Sequence, residues 1–403
     1  MSKKKCLALY EKPKNVTNTD YLHKDNIVNA AADVIKKFME YNESSDTKES
    51  SSQSEVVLIA EMQSGKTEVM RRLVYLIKQH NNKLRGLGIN IDRSNIFVIL
   101  STSSINLRDQ LKEKIPEIRH CIYHLPEVNN WTKNLYESES LMLSMCESSL
   151  IIIDESHCDA EVGHIMHNFR TTLHELSNQN STTFYTLSVS ASPYEQIKAK
   201  YPKVIMHPGP NYYGLRQMFY SKIPVLYQAK KLSNSDECGQ LFREINICEY
   251  YYIFRLSDRK ELVDQMITNL ESEFRNRRIG IDTIIYDMSY RENINDFIKN
   301  KPSKPTLIYL KDKLRMGEYL NTKYVYLVHD DPTNTYTHTT IQSLIGRCCG
   351  YNKKSNYTLI YCDLMKAFQH YKWIKNDYSI KYIPSDAKYI DKRTKQVNEK
   401  CIY

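Results

Sequence analysis

Three consecutive residues, Gly65-Lys66-Thr67, offer a phosphate group the contacts it needs. Glycine lets the backbone come close, lysine brings an ammonium, and the threonine hydroxyl can ligate Mg²⁺. Their setting fits that chemistry. Val56-Val57-Leu58-Ile59 is a short apolar run of the kind a buried strand makes, and Glu68 to Ile77 carries apolar residues at helical spacing. Strand, tight loop and helix together form a phosphate-binding loop, with backbone N–H groups and a helix N-terminus turned toward the anion. The loop residues Glu61, Met62, Gln63, Ser64 and Gly65 then wrap the phosphates, Lys66 reaches the β- and γ-phosphates, and Thr67 holds the metal. Ala60 stands where the general pattern has its first glycine, and Gln63 occupies an inner position.

A second acidic site follows the same logic. Leu150-Ile151-Ile152-Ile153 reads as a buried strand and ends in Asp154-Glu155-Ser156-His157. A carboxylate emerging at such a strand end can hold Mg²⁺ against Thr67, which is the role expected of Asp154, and the adjacent Glu155 can polarise an attacking water. His157, Cys158, His164 and His167 hint at zinc, but no second thiol pair completes a site, so they read as ordinary helix and loop residues. The ten cysteines are scattered without a Cys-x-x-Cys pair, which fits reduced thiols in an intracellular protein.

The elements that must position these groups alternate along the chain. A helix is expected over residues 26–41, a flexible surface loop over the polar stretch 42–55, and further strands at 96–100 and 182–188, with a helix near 163–176. Strands alternating with helices argue for an α/β fold with a mainly parallel sheet, whose ligands lie beyond the carboxyl ends of the strands. Prolines and glycines between 202 and 214 mark a break. The alternation then resumes, with strands expected at 250–254, 282–286, 306–310, 324–328 and 357–362, a helix over 260–274, and another helix opening at Ile341. A length of 403 residues and a hydrophobic content of 41% accommodate two such domains. The expected division is 1–215 and 225–365, followed by a C-terminal tail, 366–403, without clear periodicity. No apolar run approaches the ~18–20 residues of a membrane span, and the basic N-terminus lacks the apolar core of a secretory signal, so the protein is expected inside the cell. The net charge of +9 is compatible with a polyanionic partner.

With both acidic and phosphate-binding stretches in place, the chain resembles the superfamily 2 helicases of DExH-box type, nearest in flavour to viral, phage and restriction-type members. Ala60 to Thr67 resembles their motif I, and Asp154-Glu155-Ser156-His157 their motif II. Ile96 to Leu111, with a Ser/Thr cluster, is similar to motif Ia, and Ser190-Ala191-Ser192-Pro193 to motif III. Leu314-Arg315-Met316-Gly317 resembles motif V, and Gln342-Ser343-Leu344-Ile345-Gly346-Arg347 motif VI. Gln63 replaces the usual glycine, and the family's second motif VI arginine falls on Gly350.

The resemblance implies two RecA-like domains with an ATP cleft between them. Motifs I, Ia, II and III come from the first domain and motifs IV to VI from the second. It implies ATP and Mg²⁺ as cofactors, Lys66, Asp154, Glu155, Gln342 and Arg347 as the catalytic set, Gly317 at the nucleotide, and Arg347 as the arginine finger on the γ-phosphoryl group. It further implies single-stranded or duplex DNA or RNA as partner, met by Ser103, Ser104 and Arg108 in the first domain and by Lys311 and Arg315 in the second. The tail is open to a protein partner. An ATP-dependent helicase is the leading expectation. A duplex translocase or remodelling motor of a larger complex, and a non-catalytic nucleic-acid-binding scaffold with a degenerate ATPase core, are the alternatives.

Overall fold

The computed structural model describes residues 24–44, 53–156, 164–287, 289–290, 292–311, 319–332, 336–351 and 358–386. The chain divides between Pro210 and Asn211 into two compact units.

In the first unit, strands β1 (Gln53–Ala60), β2 (Ile96–Leu100), β3 (Ile122–His124), β4 (Ser149–Asp154), β5 (Phe184–Ser190) and β6 (Lys203–Met206) form one sheet in the order β3-β2-β4-β5-β1-β6, with every pairing parallel. The inner strands are apolar on both faces, as a sheet covered by helices requires. Val56 to Ile59 and Leu150 to Ile153 are at most 1% exposed. Each such side chain contributes roughly 1.5–3 kcal/mol of burial free energy. The helix Lys66–Arg85 turns Val69, Met70, Leu73, Val74, Leu76 and Ile77 inward at helical spacing and packs against the helix Lys24–Ser44. A part-buried ion pair sits low on the sheet, where Arg170 donates to both carboxylate oxygens of Glu55 at 2.7 and 2.8 Å and to Ser188 Oγ at 3.0 Å.

In the second unit, β7 (Leu226–Gln228), β8 (Tyr251–Arg255), β9 (Asp282–Tyr286), β10 (Thr306–Leu310), β11 (Val325–His329) and β12 (Leu359–Cys362) follow the order β7-β12-β11-β8-β10-β9, again all parallel. Both units are thus α/β, each a six-stranded parallel sheet flanked by helices, the RecA-like arrangement. Strand register brings the functional ends to one edge of each sheet. Ile59 pairs with Ser190, Leu100 with Asp154, and Asp154 with Val189 in the first. Leu310 pairs with Arg255, and His329 with Phe254, in the second.

Several local expectations shift. The helix before the nucleotide loop runs through Ser44 and β1 begins at Gln53, so the ends of the presumed flexible stretch 42–55 are regular. Residues 45–52 lie outside the described residues. Three strands were not expected, β3, β6 and β7, and each is a sheet edge. The presumed tail carries the helix Leu364–Lys375, whose Trp373 is fully buried and meets Tyr378 edge-on at 4.8 Å. Its apolar positions were hidden among lysines because a helix against one face needs only a narrow stripe. No helix among the described residues is long and apolar enough to cross a membrane.

Candidate nucleotide-binding site

The phosphate loop leaves β1 at Ala60, which is fully buried. It tightens at once, because Ser64 donates to the Glu61 carbonyl from both its N–H, at 3.2 Å, and its hydroxyl, at 2.6 Å. Two residues adopt positive φ, Gln63 at 54° and Gly65 at 110°. Such turns gather successive N–H groups into a concave nest that favours an anion. Only glycine takes the Gly65 geometry without cost. The Gly65 carbonyl then accepts from Glu68 N at 3.0 Å and Val69 N at 3.2 Å, which starts the helix. The first N–H groups of that helix have no carbonyl of their own to bond, and its dipole adds positive potential. Gln63 Nε2 is buried without a hydrogen-bond partner in the same loop, an unmet donor that an anion's oxygen would satisfy.

The acidic pair stands at the carboxyl edge of β4. Asp154 ends that strand, and Glu155 turns the chain through a φ of 52°, with its N–H donating to Asp154 Oδ1 at 3.0 Å. Ser156 N donates to the Val189 carbonyl, and Gln196 Nε2 to the Ser156 carbonyl at 3.0 Å, so the residues after the acidic pair are tied to β5 and to the helix Tyr194–Lys198. Lys66 Nζ lies 3.9 Å from Glu155 Oε1, both side chains being at least nine-tenths buried. Burial, and after it the neighbouring Glu155 carboxylate, push the Asp154 carboxyl above its ordinary range against the pull of Lys66. Burial likewise pushes Glu61, within the loop, up to about 7.

Two carboxyl groups, those of Asp154 and Glu155, thus lie beside the one ammonium of Lys66. Hard oxygen donors of this kind fit a divalent cation such as Mg²⁺, and the Asp154 carboxylate with the Thr67 hydroxyl are the groups that would hold it. The residues expected at the phosphates, Glu61 to Thr67, and the acidic pair therefore share one edge of one sheet, and Lys66 and Glu155 are in contact.

The hydroxyls of the Ser/Thr stretch after β2 stand in different settings. Ser103 is exposed. The Ser104 hydroxyl caps the following helix by accepting from Leu107 N at 3.2 Å. Arg108 is engaged with Asp109 at 3.2 Å and Glu127 at 3.8 Å. The hydroxyls of Ser101 and Thr102 are buried without hydrogen-bond partners, and Ser101 N donates to the Asp154 carbonyl.

In the second unit, the helix expected to open at Ile341 starts earlier and breaks. Thr337–Gln342 and Leu344–Arg347 are separate short helices joined at Ser343, whose ψ of −142° cannot continue a helix. Gln342 and Arg347 are both buried, and an Arg347 terminal nitrogen donates to the Gln342 carbonyl at 2.8 Å. Lys311 is exposed just beyond β10, with its N–H donating to the Tyr286 carbonyl at 3.1 Å. Arg315, Gly317, His157 and Cys158 lie outside the described residues. Sequence reading missed the buried pair of Arg255 and Asp330, with Arg255 Nε 2.9 Å from Asp330 Oδ1. The signal was present, since Asp330 follows an apolar strand just as Asp154 does.

No protein-family model matches the chain. It is 55% identical over 394 residues to the uncharacterized protein L594 of Acanthamoeba polyphaga mimivirus, covering 97% of this chain and 98% of that protein. Among solved structures it is similar to the E. coli DExH-box NTPase HrpB, with a TM-score of 0.45 and 12% identity over 84% of this chain and 42% of that one. It is similar to S. cerevisiae Dbp5 bound to RNA and ADP BeF3, with a TM-score of 0.45 and 12% identity over 88% of this chain and 91% of that one. The Mycobacterium smegmatis helicase Lhr bound to ssDNA and AMP-PNP gives a TM-score of 0.39 and 13% identity over 88% of this chain and 50% of Lhr. The chain thus spans half or less of the HrpB and Lhr chains.

Proposed function

We propose that this chain, which belongs to the same protein family as L594 of Acanthamoeba polyphaga mimivirus, is a nucleic-acid-dependent ATPase of helicase type that works inside a cell, a virus-infected one included. The observation that carries the reading is the contact at 3.9 Å between the Lys66 ammonium and the Glu155 carboxylate, beside a loop curled by left-handed residues. A binding loop alone would need no buried carboxylate against its lysine.

In this reading the Glu61 to Gly65 backbone and Lys66 hold the triphosphate, and Thr67 and Asp154 hold Mg²⁺. Bound Mg²⁺ supplies charge neutralisation on the β- and γ-phosphates. Glu155 polarises a water and takes its proton as the water oxygen bonds to the γ-phosphorus and the bond to the β–γ bridging oxygen breaks, leaving ADP and phosphate. Arg347 supplies the cation on the γ-phosphoryl group in the transition state, Gln342 contacts the nucleotide or the water, and Gly317 lies at the nucleotide. Nucleic acid is held through its backbone by Ser103, Ser104, Arg108, Lys311 and Arg315, without base-specific contacts. A nucleotide-driven conformational cycle then moves the protein along a strand and separates the duplex.

The test is ATP turnover by the full chain with single- and double-stranded DNA and RNA, at two salt concentrations. Stimulation by one of these polymers, weakening steeply as salt rises, is expected for backbone-dominated binding. ATP turnover that ignores every polymer, or that survives Lys66→Ala, overturns the reading. Strand displacement measured beside triplex displacement distinguishes unwinding from translocation on duplex.

A further inference from the structure

The helix that carries Arg347 is unusual in being two short pieces, one of 6 residues and one of 4. Neither piece is long enough to persist by its own hydrogen bonds. Tertiary packing must hold them, and each also has a carboxylate at its N-terminus. Asp386, far along the chain, accepts from Thr337 N at 2.8 Å through one oxygen and from the Thr337 hydroxyl at 2.7 Å through the other. Asp330 accepts from Leu344 N at 3.3 Å through Oδ2, while its Oδ1 accepts from Ser343 Oγ at 3.0 Å and Arg255 Nε at 2.9 Å. Ser343 Oγ in turn accepts from Arg255 Nε at 2.9 Å. The break itself is therefore seized by a closed triangle of Arg255, Asp330 and Ser343, all at most 5% exposed.

The Arg347 guanidinium reaches back across that break to the Gln342 carbonyl at 2.8 Å. The guanidinium is thus tied to the residue just before the break. We propose that Asp330, with Arg255 and Ser343 at the break and Asp386 at the far end, forms a positioning clamp that fixes the Arg347 guanidinium for its work on the γ-phosphoryl group. The proposal rests on the reading of Arg347 given above. A buried ion pair seldom stabilises a fold more than apolar residues of the same volume would, and its best-attested use is to fix a geometry. Here the geometry fixed is that of the segment bearing the arginine. Displacement of a catalytic cation by about 1 Å is enough to lower a rate ~100-fold.

The experiment compares kcat and KM for ATP in the full chain for the wild type, Ser343→Ala, Asp386→Asn, Arg347→Ala and the Ser343→Ala/Arg347→Ala double variant, with thermal unfolding as the check on folding. Ser343→Ala removes the hydroxyl while leaving the charged pair, and Asp386→Asn touches only the far end, so neither takes the carboxylate from the buried Arg255 as Asp330→Ala does. Both are expected to lower kcat by roughly 10-fold with KM within about 2-fold. The double variant is expected to be no slower than Arg347→Ala alone, since a clamp without its arginine has nothing to position. Folded Ser343→Ala and Asp386→Asn proteins with wild-type kcat, or a double variant slowed by the product of the two single effects, overturn the clamp. Wild-type turnover by Arg347→Ala overturns instead the reading on which it rests.

Discussion

The phosphate loop of the first unit and the split helix of the second solve one problem, holding a charged group still, by opposite means. The loop uses its backbone. Its shape comes from neighbours a few residues apart, Ser64 on Glu61 and Glu68 on Gly65, and from positive φ at Gln63 and Gly65. The split helix uses side chains from distant places, with Arg255, Asp330, Ser343 and Asp386 drawn together from four segments of the chain. A backbone device is tolerant of its surroundings and rigid in itself. A side-chain triangle is rigid only while every member is present, because a buried polar group that loses its partner keeps the full desolvation penalty. The difference teaches where each site is vulnerable: substitutions in the first unit should cost function more than stability, and those in the second should cost both.

The largest expected effect tests the first half of that contrast. Glu155→Gln should lower ATP turnover about 1,000-fold while leaving nucleotide binding and the denaturant midpoint nearly unchanged. Parallel binding and turnover measurements check this, and retained turnover would sink the assignment of Glu155. Next comes Asp330→Ala, which takes the carboxylate away from the buried Arg255 Nε. It should cost ~3–5 kcal/mol of stability by chemical denaturation, and a loss below ~1 kcal/mol would mean that the triangle behaves like a surface pair. Gly65→Ala should cost ~1–3 kcal/mol and weaken nucleotide binding. The added Cβ meets Ile27 Cδ1 only at 3.5 Å, so strain at a φ of 110° carries the cost and not collision. An unchanged midpoint and affinity would show that the loop relaxes.

The smallest effect concerns pH. In the unfolded chain Glu61 loses its proton near its ordinary value of 4.5, whereas in the folded chain burial raises that to about 7. Between those values the unfolded chain releases a proton that the native chain keeps, so this group lowers stability as pH rises through the window. Glu61→Gln should therefore stabilise the protein at pH 8 by about 1 kcal/mol, once the ~3 kcal/mol of the full shift is discounted for solvent reaching its partly exposed carboxyl, and by almost nothing at pH 4. Denaturation of both proteins at the two pH values measures it, and an equal gain at both would remove ionisation as the cause.

How much was legible follows from the same contrast. Inner strands such as Ile96–Leu100, Leu150–Ile153 and Thr306–Leu310 announce themselves, because a strand covered on both faces must be apolar throughout. The edges β3, β6 and β7 do not, since an edge strand of three or four residues needs little apolar character and borrows its pairing from one neighbour. The helix at 364–375 was likewise hidden, its inward stripe of Ala367, Tyr371 and Trp373 diluted by lysines.

At the site, Gly65-Lys66-Thr67 and Asp154-Glu155 could be read directly, because strand, turn and residue type lie within a dozen residues and the chemistry follows from local geometry. Sequence alone determined that this protein has two parallel α/β halves and where its charged groups leave the strands. Only the tertiary structure decided that Lys66 meets Glu155, that Arg108 lies 3.8 Å from Glu127, and that Asp330 and Asp386 grip the segment bearing Arg347. Those contacts join residues from 14 to 89 positions apart. Their partners are chosen by strand order and register, which no local pattern of residue types encodes.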